Sequence, residues 1–314
     1  MAATVLAARE RRRGPARSRA LKRSESITGW AFVTPASVII LLFGAVPIVW
    51  SLIMSFQHNN LLSPRTPFVG LRNYRHLIHD PAVLSAAEHT IVYTVLFVPG
   101  TMVVGLFLAI AMNRPLKFIW VYRTAAYATM AISTISEALV FIWLFDPSFG
   151  VVNYFFSLVG LPQQQFLNDP SQALGVIVVM TIWGWTGFAV VIYLAALQGV
   201  PKELTEAAAI DGASRWTIFR RVTLPLLSPA SLFLAVWLTI NAFQLFDEVY
   251  LSTQGGPLGA TTVLVYYLYK AAFVDFSFGY ASAIAYMLFI VILFSETLYG
   301  RFKAFNPDLW QGAS

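Results

Sequence analysis

The chain has 314 residues, of which 58% are hydrophobic and only 11% are charged. An ordinary soluble domain carries roughly 25% charged residues, so this composition predicts an integral membrane protein. The absence of cysteine excludes disulfide frameworks, thiolate metal sites and cysteine nucleophiles, and the net charge of +6 is less informative than the position of its charges.

The N-terminal segment, residues 1–28, is strongly basic. Eight of the 21 Lys and Arg residues precede Trp30, and an apolar run follows them directly. This placement is typical of a cytoplasmic tail that fixes membrane orientation, although such charge also suits acidic lipid or nucleic acid. The run continues through IILLFGAVPIVWSLIMSF, which exceeds the roughly 7–15 residues of a signal-peptide core, so we expect it to remain as a span.

Six segments are long and apolar enough to cross a bilayer, which takes about 20 residues per helix. They lie at residues 29–56, 88–112, 122–145, 173–197, 227–250 and 279–300. Proline and glycine interrupt several of them, as membrane helices tolerate when neighbouring helices satisfy the backbone. The predicted fold class is an all-α integral membrane protein with six transmembrane helices.

Basic residues on alternate sides of these spans predict the orientation. Of the 21, 17 fall on the side of the N-terminal segment and 4 on the other side. By the positive-inside rule, both termini and the loop at residues 198–226 are cytoplasmic. The chain then divides into the tail at 1–28, a first transmembrane helix with its outer loop at 29–87, a transmembrane domain at 88–303 and a C-terminal tail at 304–314.

The three outer loops carry turn signals and no metal motif. All four histidines lie in or beside the first loop, 57–87, without metal-ligand spacing, so we expect no metal site. The second loop, 146–172, predicts a short interfacial helix that ends at Gly160 and Pro162. The third loop, 251–278, opens on a Gly-Gly-Pro run at residues 255–257 that predicts a tight turn.

The spans lack the groups that an intramembrane enzyme needs. No nucleophile with a base, carboxylate pair or metal cluster is evident on helices expected to face one another. The sequence also has no G-x-x-x-x-G-K-[ST] phosphate loop, so ATP, if used, must bind to another chain. We therefore predict a non-catalytic passage, or its scaffold, with no cofactor of its own.

The loop at 198–226, here called the Glu206 loop, predicts two short helices that meet at a glycine. Pro201 precedes strong helix formers, and Gly212 separates them from a second basic turn, SRWTIFRR. Small side chains allow close helix approach, and the carboxylates suit bidentate bonds from a partner's arginine. Such a helix pair suits transmission of a partner's motion into the membrane, and the residues that we assign to this coupling are Glu206, Ala207, Ala208, Asp211, Gly212 and Pro225.

The stretch EAAAIDGASRWTIFRRVTLP resembles the cytoplasmic EAA loop of binding-protein-dependent ABC importer permeases. The resemblance extends to PFVGLRNY after the first span, YLAALQGVPKEL before the loop and FDEVYLSTQGGPLGATTVLVYYLYKAAF after the fifth span. These segments are similar to the carbohydrate-uptake subfamily of maltose-F-like and glycerol-3-phosphate-A-like permeases.

The resemblance implies a type I importer fold in a prokaryotic cell membrane and a heteromeric complex. Its implied partners are a second homologous permease chain, two cytoplasmic ATPase subunits that hold ATP and Mg²⁺, and an extracytoplasmic solute-binding protein. The family usually has a proline in the third span, where this chain has Ala128-Thr129, so we do not expect a kink there. The same span carries Glu137, which should face a cavity or a helix partner because lipid disfavours a charge.

The fifth span predicts one wall of the solute passage. Asn241, Gln244 and Glu248 lie at i, i+3 and i+7, so a continuous helix would place them on one face, where their polar groups suit a hydroxyl-rich solute. Maltose-type permeases use this span and the neighbourhood of the fourth span for substrate contacts, which implies Trp183, Trp185, Thr186 and Phe188 as further candidates. Aromatic packing or a membrane-interface belt is the alternative for each tryptophan.

The function predicted from the sequence is therefore the permease subunit of an ABC importer for a mono-, di- or oligosaccharide. Glycerol-3-phosphate or glycerophosphodiester import is the alternative within this class, although the spans contain no clear Lys or Arg for a phosphate. A channel or secondary carrier would be expected to show an ion-pathway ring or repeated halves with broken helices, and neither is evident.

Overall fold

The computed structural model describes residues 15–60, 62, 65–114 and 117–305, with the backbone alone for 15–27, 296 and 298–305. These residues are mostly helical, and the only extended pairing among them is an isolated bridge between Gln57 and Phe68. The chain forms two compact units, Met1–Met54 and Ser55–Ser314.

In the first unit, helix α1 (Pro15–Ile40) continues through a π-helical turn, Leu41–Ala45, into α2 (Val46–Ser55). The stretch Thr28–Ser55 is long and apolar enough to cross a membrane. It matches the first predicted span, at 29–56. The predicted basic tail is helical from Pro15 onward, and residues 1–14 lie outside the described residues.

The second unit opens with two helices, α3 (Arg72–Leu77) and α4 (Pro81–Met112). The second span therefore starts at Pro81 and not at residue 88, which shortens the predicted outer loop at 57–87. Asp80 causes the earlier start, because its Oδ1 accepts a hydrogen bond from the Ala82 N–H at 2.9 Å and proline suits the first helical position.

The third predicted span is broken. Helix α5 (Ile119–Ala128) ends in a 3₁₀ turn, α6 (Thr134–Leu144) follows, and the two parts are bent by 104°. The expectation that a span without proline has no kink is wrong. Ile132 and Ser133 both adopt extended backbone conformations, with ψ of 131° and 141°, and this is enough to end one helix and start the next.

The middle of the chain follows the prediction closely. Helix α7 (Val151–Leu158) lies in the second predicted loop, and Gly160 has a φ of +76° just after it. Helix α8 (Ala173–Gln198) is the fourth span. The Glu206 loop contains α9 (Lys202–Ile210) and α10 (Arg215–Ile218), then a π-helical turn and α11 (Leu224–Leu226).

The fifth predicted span, 227–250, is not one helix. Helix α12 (Ser228–Phe243) stops, and α13 (Asp247–Ser252) starts after a short break. Gln244 and Phe246 have non-helical backbone angles at the break. Tertiary packing accompanies it, because the Phe246 ring lies 5.3 Å from that of Tyr250 and 5.2 Å from that of Tyr269.

The last helices are α14 (Leu264–Tyr269), which runs into a π-helical turn, and α15 (Phe278–Phe305). Gly256 and Pro257 form the predicted tight turn, joined by a cis peptide bond. The apolar part of α15, Phe278–Ser295, matches the sixth span, and only residues 304 and 305 of the predicted C-terminal tail are described.

Four helices of the described residues are long and apolar enough to cross a membrane, and the count reaches six only if each bent pair is one span. The second bent pair, Arg215–Leu226 with Ser228–Phe243, turns by 61°. The main hydrophobic core lies between α4, α8 and α12. Gly105 of α4 allows their close approach, since a Cβ there would lie 2.5 Å from the Cβ of Ala189 on α8.

Candidate solute pathway and Glu206 loop

A partly open cavity of about 210 Å³ lies where α4, α6 and α8 meet the break between α12 and α13. We call it the amide cavity. Its lining combines aromatic rings, side-chain amides, a hydroxyl and carboxylates, from Tyr93, Phe97, Thr134, Trp185, Asn241, Gln244, Leu245, Phe246, Asp247 and Glu248.

Asn241, Gln244 and Glu248 all line this cavity, but not by the predicted geometry. Helix α12 ends before Gln244, so a single helical face does not hold the three together. The chain turns at the break, and α13 then places Glu248 at the same cavity. The Asn241 amide nitrogen donates to the Trp237 carbonyl at 2.8 Å, which fixes the amide and leaves its Oδ1 as an acceptor.

The cavity wall is acidic. Asp247 and Glu248 are its charged lining residues, and no Lys or Arg lines it within the described residues. An anionic solute would therefore find no cationic partner here, whereas hydroxyl groups would find acceptors.

Glu137 is buried, with 7% of its surface exposed, and it does not line the cavity. Its Oε1 has no hydrogen-bond partner in the described part of the chain. Its carboxylate lies against Gly184 of α8, where a Cβ would come within 2.5 Å of both carboxylate oxygens. Glu137 thus has the helix partner that the sequence predicted, while Thr134, one turn earlier on α6, reaches the cavity.

The predicted site residues on α8 differ in whether they reach the cavity. Trp185 lines the cavity, with its ring 6.5 Å from that of Phe97. Trp183 packs instead on Phe141, at 5.6 Å, and the Thr186 hydroxyl donates to the Ile182 carbonyl of its own helix at 2.6 Å. For Trp183 the structure favours the packing alternative.

Phe188 lies beside the rings of Trp185 and Trp237, at 5.8 and 6.0 Å. It is not among the lining residues of the amide cavity. Its position is one helical turn from Trp185, toward the end of α8 that leads to the Glu206 loop.

Sequence reasoning missed the contribution of α4. Tyr93 and Phe97 are one turn apart, and their rings stack at 5.2 Å and 9° on the cavity wall. Because α4 is apolar on all sides, no periodic pattern marks its inner face. The spacing of two aromatic residues at i and i+4 was the only available signal.

The Glu206 loop has the predicted helix–glycine–helix form. The Gly212 N–H donates to the Ala209 carbonyl at 3.1 Å, the Ala213 N–H donates to the Ala208 carbonyl at 3.0 Å, and Gly212 has a φ of +80°. This is a Schellman C-cap, which requires a left-handed residue at the glycine position. The Ser214 side chain then accepts the Thr217 N–H at 3.2 Å and caps the second helix.

The outer surface of this loop is open. Glu206, Ala207, Asp211 and Gly212 are exposed, and Ala208 is half-buried. Large apolar side chains are exposed beside them, with 86% of Ile210 and 67% of Trp216 accessible. Pro225 lies in the short helix α11, just before the bend into α12.

Another polar cluster joins α4 to the last two helices. The Asp80 Oδ2 accepts hydrogen bonds from the hydroxyls of Tyr280 at 2.6 Å and Tyr267 at 3.0 Å. Burial raises the pKa of Asp80, but the hydrogen bonds from Tyr280, the Ala82 N–H and Tyr267 outweigh this effect, so the pKa lies below its ordinary value.

This chain is similar in sequence to a known protein family and to named transport proteins. The family described as "Binding-protein-dependent transport system inner membrane component" matches residues 101–304. The lactose transport system permease protein LacF of Rhizobium radiobacter is 34% identical over 278 residues, covering 87% of this chain and 92% of LacF. The trehalose/maltose transport system permease protein MalF of Thermococcus litoralis is 32% identical over 291 residues, covering 92% of this chain and 97% of MalF.

A solved structure also matches. A chain of the bacterial alginate ABC transporter, crystallised with its alginate pentasaccharide-bound periplasmic protein, has a TM-score of 0.79 at 23% identity. The match covers 91% of this chain and 96% of that chain, and it establishes a shared fold.

Proposed function

Because this chain belongs to the family of binding-protein-dependent transport system inner membrane components, we propose that it is the permease subunit of an ATP-driven sugar importer in a prokaryotic cell membrane. It is a multi-pass membrane protein of the ABC permease fold. LacF and MalF, two of its relatives, are named for the transport of lactose and of trehalose or maltose. The six-span topology with both termini in the cytoplasm is part of this proposal.

The amide cavity is the observation that carries the proposal. A sugar that leaves water loses hydrogen bonds at each hydroxyl, and an unpaired buried polar group costs about 1–3 kcal/mol. Asn241, Gln244 and Glu248 offer amide and carboxylate partners, while the half-buried Trp185 offers an aromatic ring to the C–H surface of a pyranose. Few other solute classes need both kinds of contact in one place.

The size of the cavity supports a passage formed by two chains. Its volume of about 210 Å³ is below the roughly 300–1,000 Å³ of sites that enclose a drug-sized ligand. A second, homologous permease chain facing its open side would complete the enclosure. This chain thus forms half of the passage.

The Glu206 loop is the proposed contact with two cytoplasmic ATPase subunits. Exposed Ile210 and Trp216 provide apolar anchors, and Glu206 and Asp211 provide carboxylates for arginine side chains. ATP and Mg²⁺ bind to those subunits, and this chain needs neither. A solute-binding protein delivers the sugar on the opposite side of the membrane, and no nucleic acid takes part.

The acidic wall argues for neutral sugars over glycerol-3-phosphate or glycerophosphodiesters. A phosphate site usually supplies Arg, Lys or a helix N-terminus. The amide cavity supplies Asp247 and Glu248 instead.

Sugar uptake by alanine variants tests the proposal. The complex is assembled with its partner subunits in vesicles, and uptake is measured with the neutral sugar that the binding protein retains. Asn241→Ala and Gln244→Ala should each lower uptake by roughly ten- to a hundred-fold, since each removes a partner of a buried hydroxyl worth about 1–3 kcal/mol.

Gln165→Ala is the matched control, because Gln165 is an exposed amide in the second predicted outer loop and does not line the cavity. Unchanged uptake by both cavity variants, at matched complex levels, would mean that the solute passes elsewhere. This chain purified alone should neither hydrolyse ATP nor transport sugar, and ATP-driven uptake by the single chain would reject the heteromeric assembly.

A further inference from the structure

A row of side chains runs along one face of α12. Phe233, Trp237 and Asn241 follow one another at intervals of four residues, all within the helix. Such spacing keeps them on one side of a helix. At 1.5 Å per residue, the row is roughly 12 Å long, and its Asn241 end lines the amide cavity.

Helix α8 lines the same row with aromatic rings. The Phe188 ring lies 6.0 Å from that of Trp237, at 30°, and 6.5 Å from that of Phe233. The rings of Phe233 and Trp237 are 6.1 Å apart at 20°. Trp185, which lines the cavity, contacts Phe188 at 5.8 Å, so the rings form one connected series starting at the cavity.

Two of the rings in this series are partly exposed at the surface of the chain. Phe233 is 47% exposed and Trp237 is 43% exposed, whereas Leu234 and Leu238, their neighbours on α12, are completely buried. Helix α12 thus uses one face for the core and presents two rings and the Asn241 amide on another. The same open face carries Asn241, which lines the amide cavity, so the rings continue a polar site and are not a separate apolar patch.

We propose that Phe188, Phe233 and Trp237 form a stacking track along which a sugar leaves the amide cavity toward the end of the protein that carries the Glu206 loop. This inference rests on the proposed function. A pyranose has hydroxyls at its rim and C–H groups on its faces, and an aromatic face attracts positively polarised hydrogens. Stacking on ring faces, with at most the single indole N–H of Trp237 as a donor, holds a sugar more loosely than the amides of the cavity, which suits movement from ring to ring.

The test compares Trp237→Leu and Phe233→Leu with Trp237→Phe in the full complex in vesicles. Leucine keeps apolar volume but removes the ring, and phenylalanine keeps a ring. The control is Trp143→Leu, the same change on α6 at a side chain that is 67% exposed and outside the track. The probe is the radiolabelled neutral sugar retained by the binding protein, and complex yield, thermal unfolding and ATP hydrolysis are measured in parallel.

Loss of one stacking partner should lower the maximal uptake rate of Trp237→Leu by about three- to ten-fold. The concentration of loaded binding protein that gives half-maximal uptake should stay constant, because its docking surface is untouched. ATP hydrolysis should continue, so that less sugar is moved per ATP. Trp237→Phe should retain most of the uptake, and Trp143→Leu all of it.

Two results would overturn the track. Uptake by Trp237→Leu and Phe233→Leu equal to that of Trp143→Leu would show that no ring is needed. A lower yield of complex, with an unchanged rate per assembled complex, would make this face a packing surface for the second permease chain or lipid. If Asn241→Ala and Gln244→Ala reduce uptake while the ring variants do not, the proposed function stands and the track fails.

Discussion

Substitution of Gly212 isolates the role of a single backbone conformation in the Glu206 loop. Gly212 has a φ of +80°, and a Cβ placed on it would meet no atom within 4 Å. A larger side chain therefore causes no clash inside this chain. The free-energy cost of the substitution comes from the left-handed backbone conformation alone. This conformation joins α9 to α10 in a fixed relative direction.

The size of this cost follows from the Schellman cap. A left-handed conformation costs an ordinary L-residue roughly 1–2 kcal/mol, less for Asn and more for a β-branched residue. One or two kcal/mol reduces the population of the correct turn by a factor of about 5–30. We therefore expect sugar uptake per complex to decrease in the order Gly, Asn, Ala, Val at position 212.

The assay measures uptake and ATP hydrolysis together in vesicles that contain the complete complex. Gly212→Val should leave solute capture by the binding protein intact and lower the amount of sugar moved per ATP. Gly160→Val is the matched control, because Gly160 has a φ of +76° and equally open space but lies in the second predicted outer loop. Its backbone cost is similar, and its ratio of sugar to ATP should stay normal.

Full uptake by Gly212→Val would refute the coupling role of this turn. The order of the variants is equally informative. If Asn were as harmful as Val, the loss would come from a side chain that blocks the partner's surface, and the argument from backbone conformation would be wrong.

Three further predictions concern packing and pH. Gly105→Ala should destabilise the protein by about 1–3 kcal/mol, because the new Cβ would lie 2.5 Å from that of Ala189, and the added change Ala189→Gly should restore part of the stability. Thermal unfolding of the detergent-purified protein measures both effects, and unchanged stability of Gly105→Ala would contradict the tight α4–α8 contact. Gly184→Ala should lower stability by clashing with the Glu137 carboxylate, and the added change Glu137→Ala should relieve it; equal stability of both variants would rule the clash out. Asp80→Asn should lower the free energy of unfolding at neutral pH, because the folded pKa of Asp80 lies below the ordinary carboxyl pKa of 3.8. This contribution of the carboxylate is lost as the pH falls below 3.8 and through the folded pKa, so the stabilities of variant and native protein should converge there. A stability difference that persists at low pH would refute this.

Much of the fold was predictable because membrane helices are long apolar runs. The residues at which these helices begin and end were harder to predict. The Asp80-Pro81 pair is a recognisable start signal for α4, and the prediction overlooked it. The breaks at Ile132 and Gln244 have no glycine or proline, so the local sequence carries no signal for them, and at the second break the packing of Phe246 on Tyr250 and Tyr269 becomes visible only in the folded chain.

The candidate cavity was predicted in part, and partly for the wrong reason. A continuous helix was expected to align Asn241, Gln244 and Glu248, whereas the real helix stops before Gln244 and the turn at the break brings Glu248 back. The assignment of Trp185 came from family resemblance. Tyr93 and Phe97 were missed, since an all-apolar helix gives no sign of which side faces a cavity.

The interruption between Phe243 and Asp247 places main-chain groups beside the amide cavity. At the end of α12 the carbonyl oxygens of Asn241 and Ala242 accept the N–H groups of Gln244 and Leu245 at 3.0 and 3.3 Å, and each keeps a second lone pair whatever the side chains become. A pathway that uses these oxygens keeps hydrogen-bond acceptors for hydroxyls when the side chains change. Side-chain exchange around the interruption can then shift preference among sugars without loss of transport, so new solutes become reachable by single mutational steps.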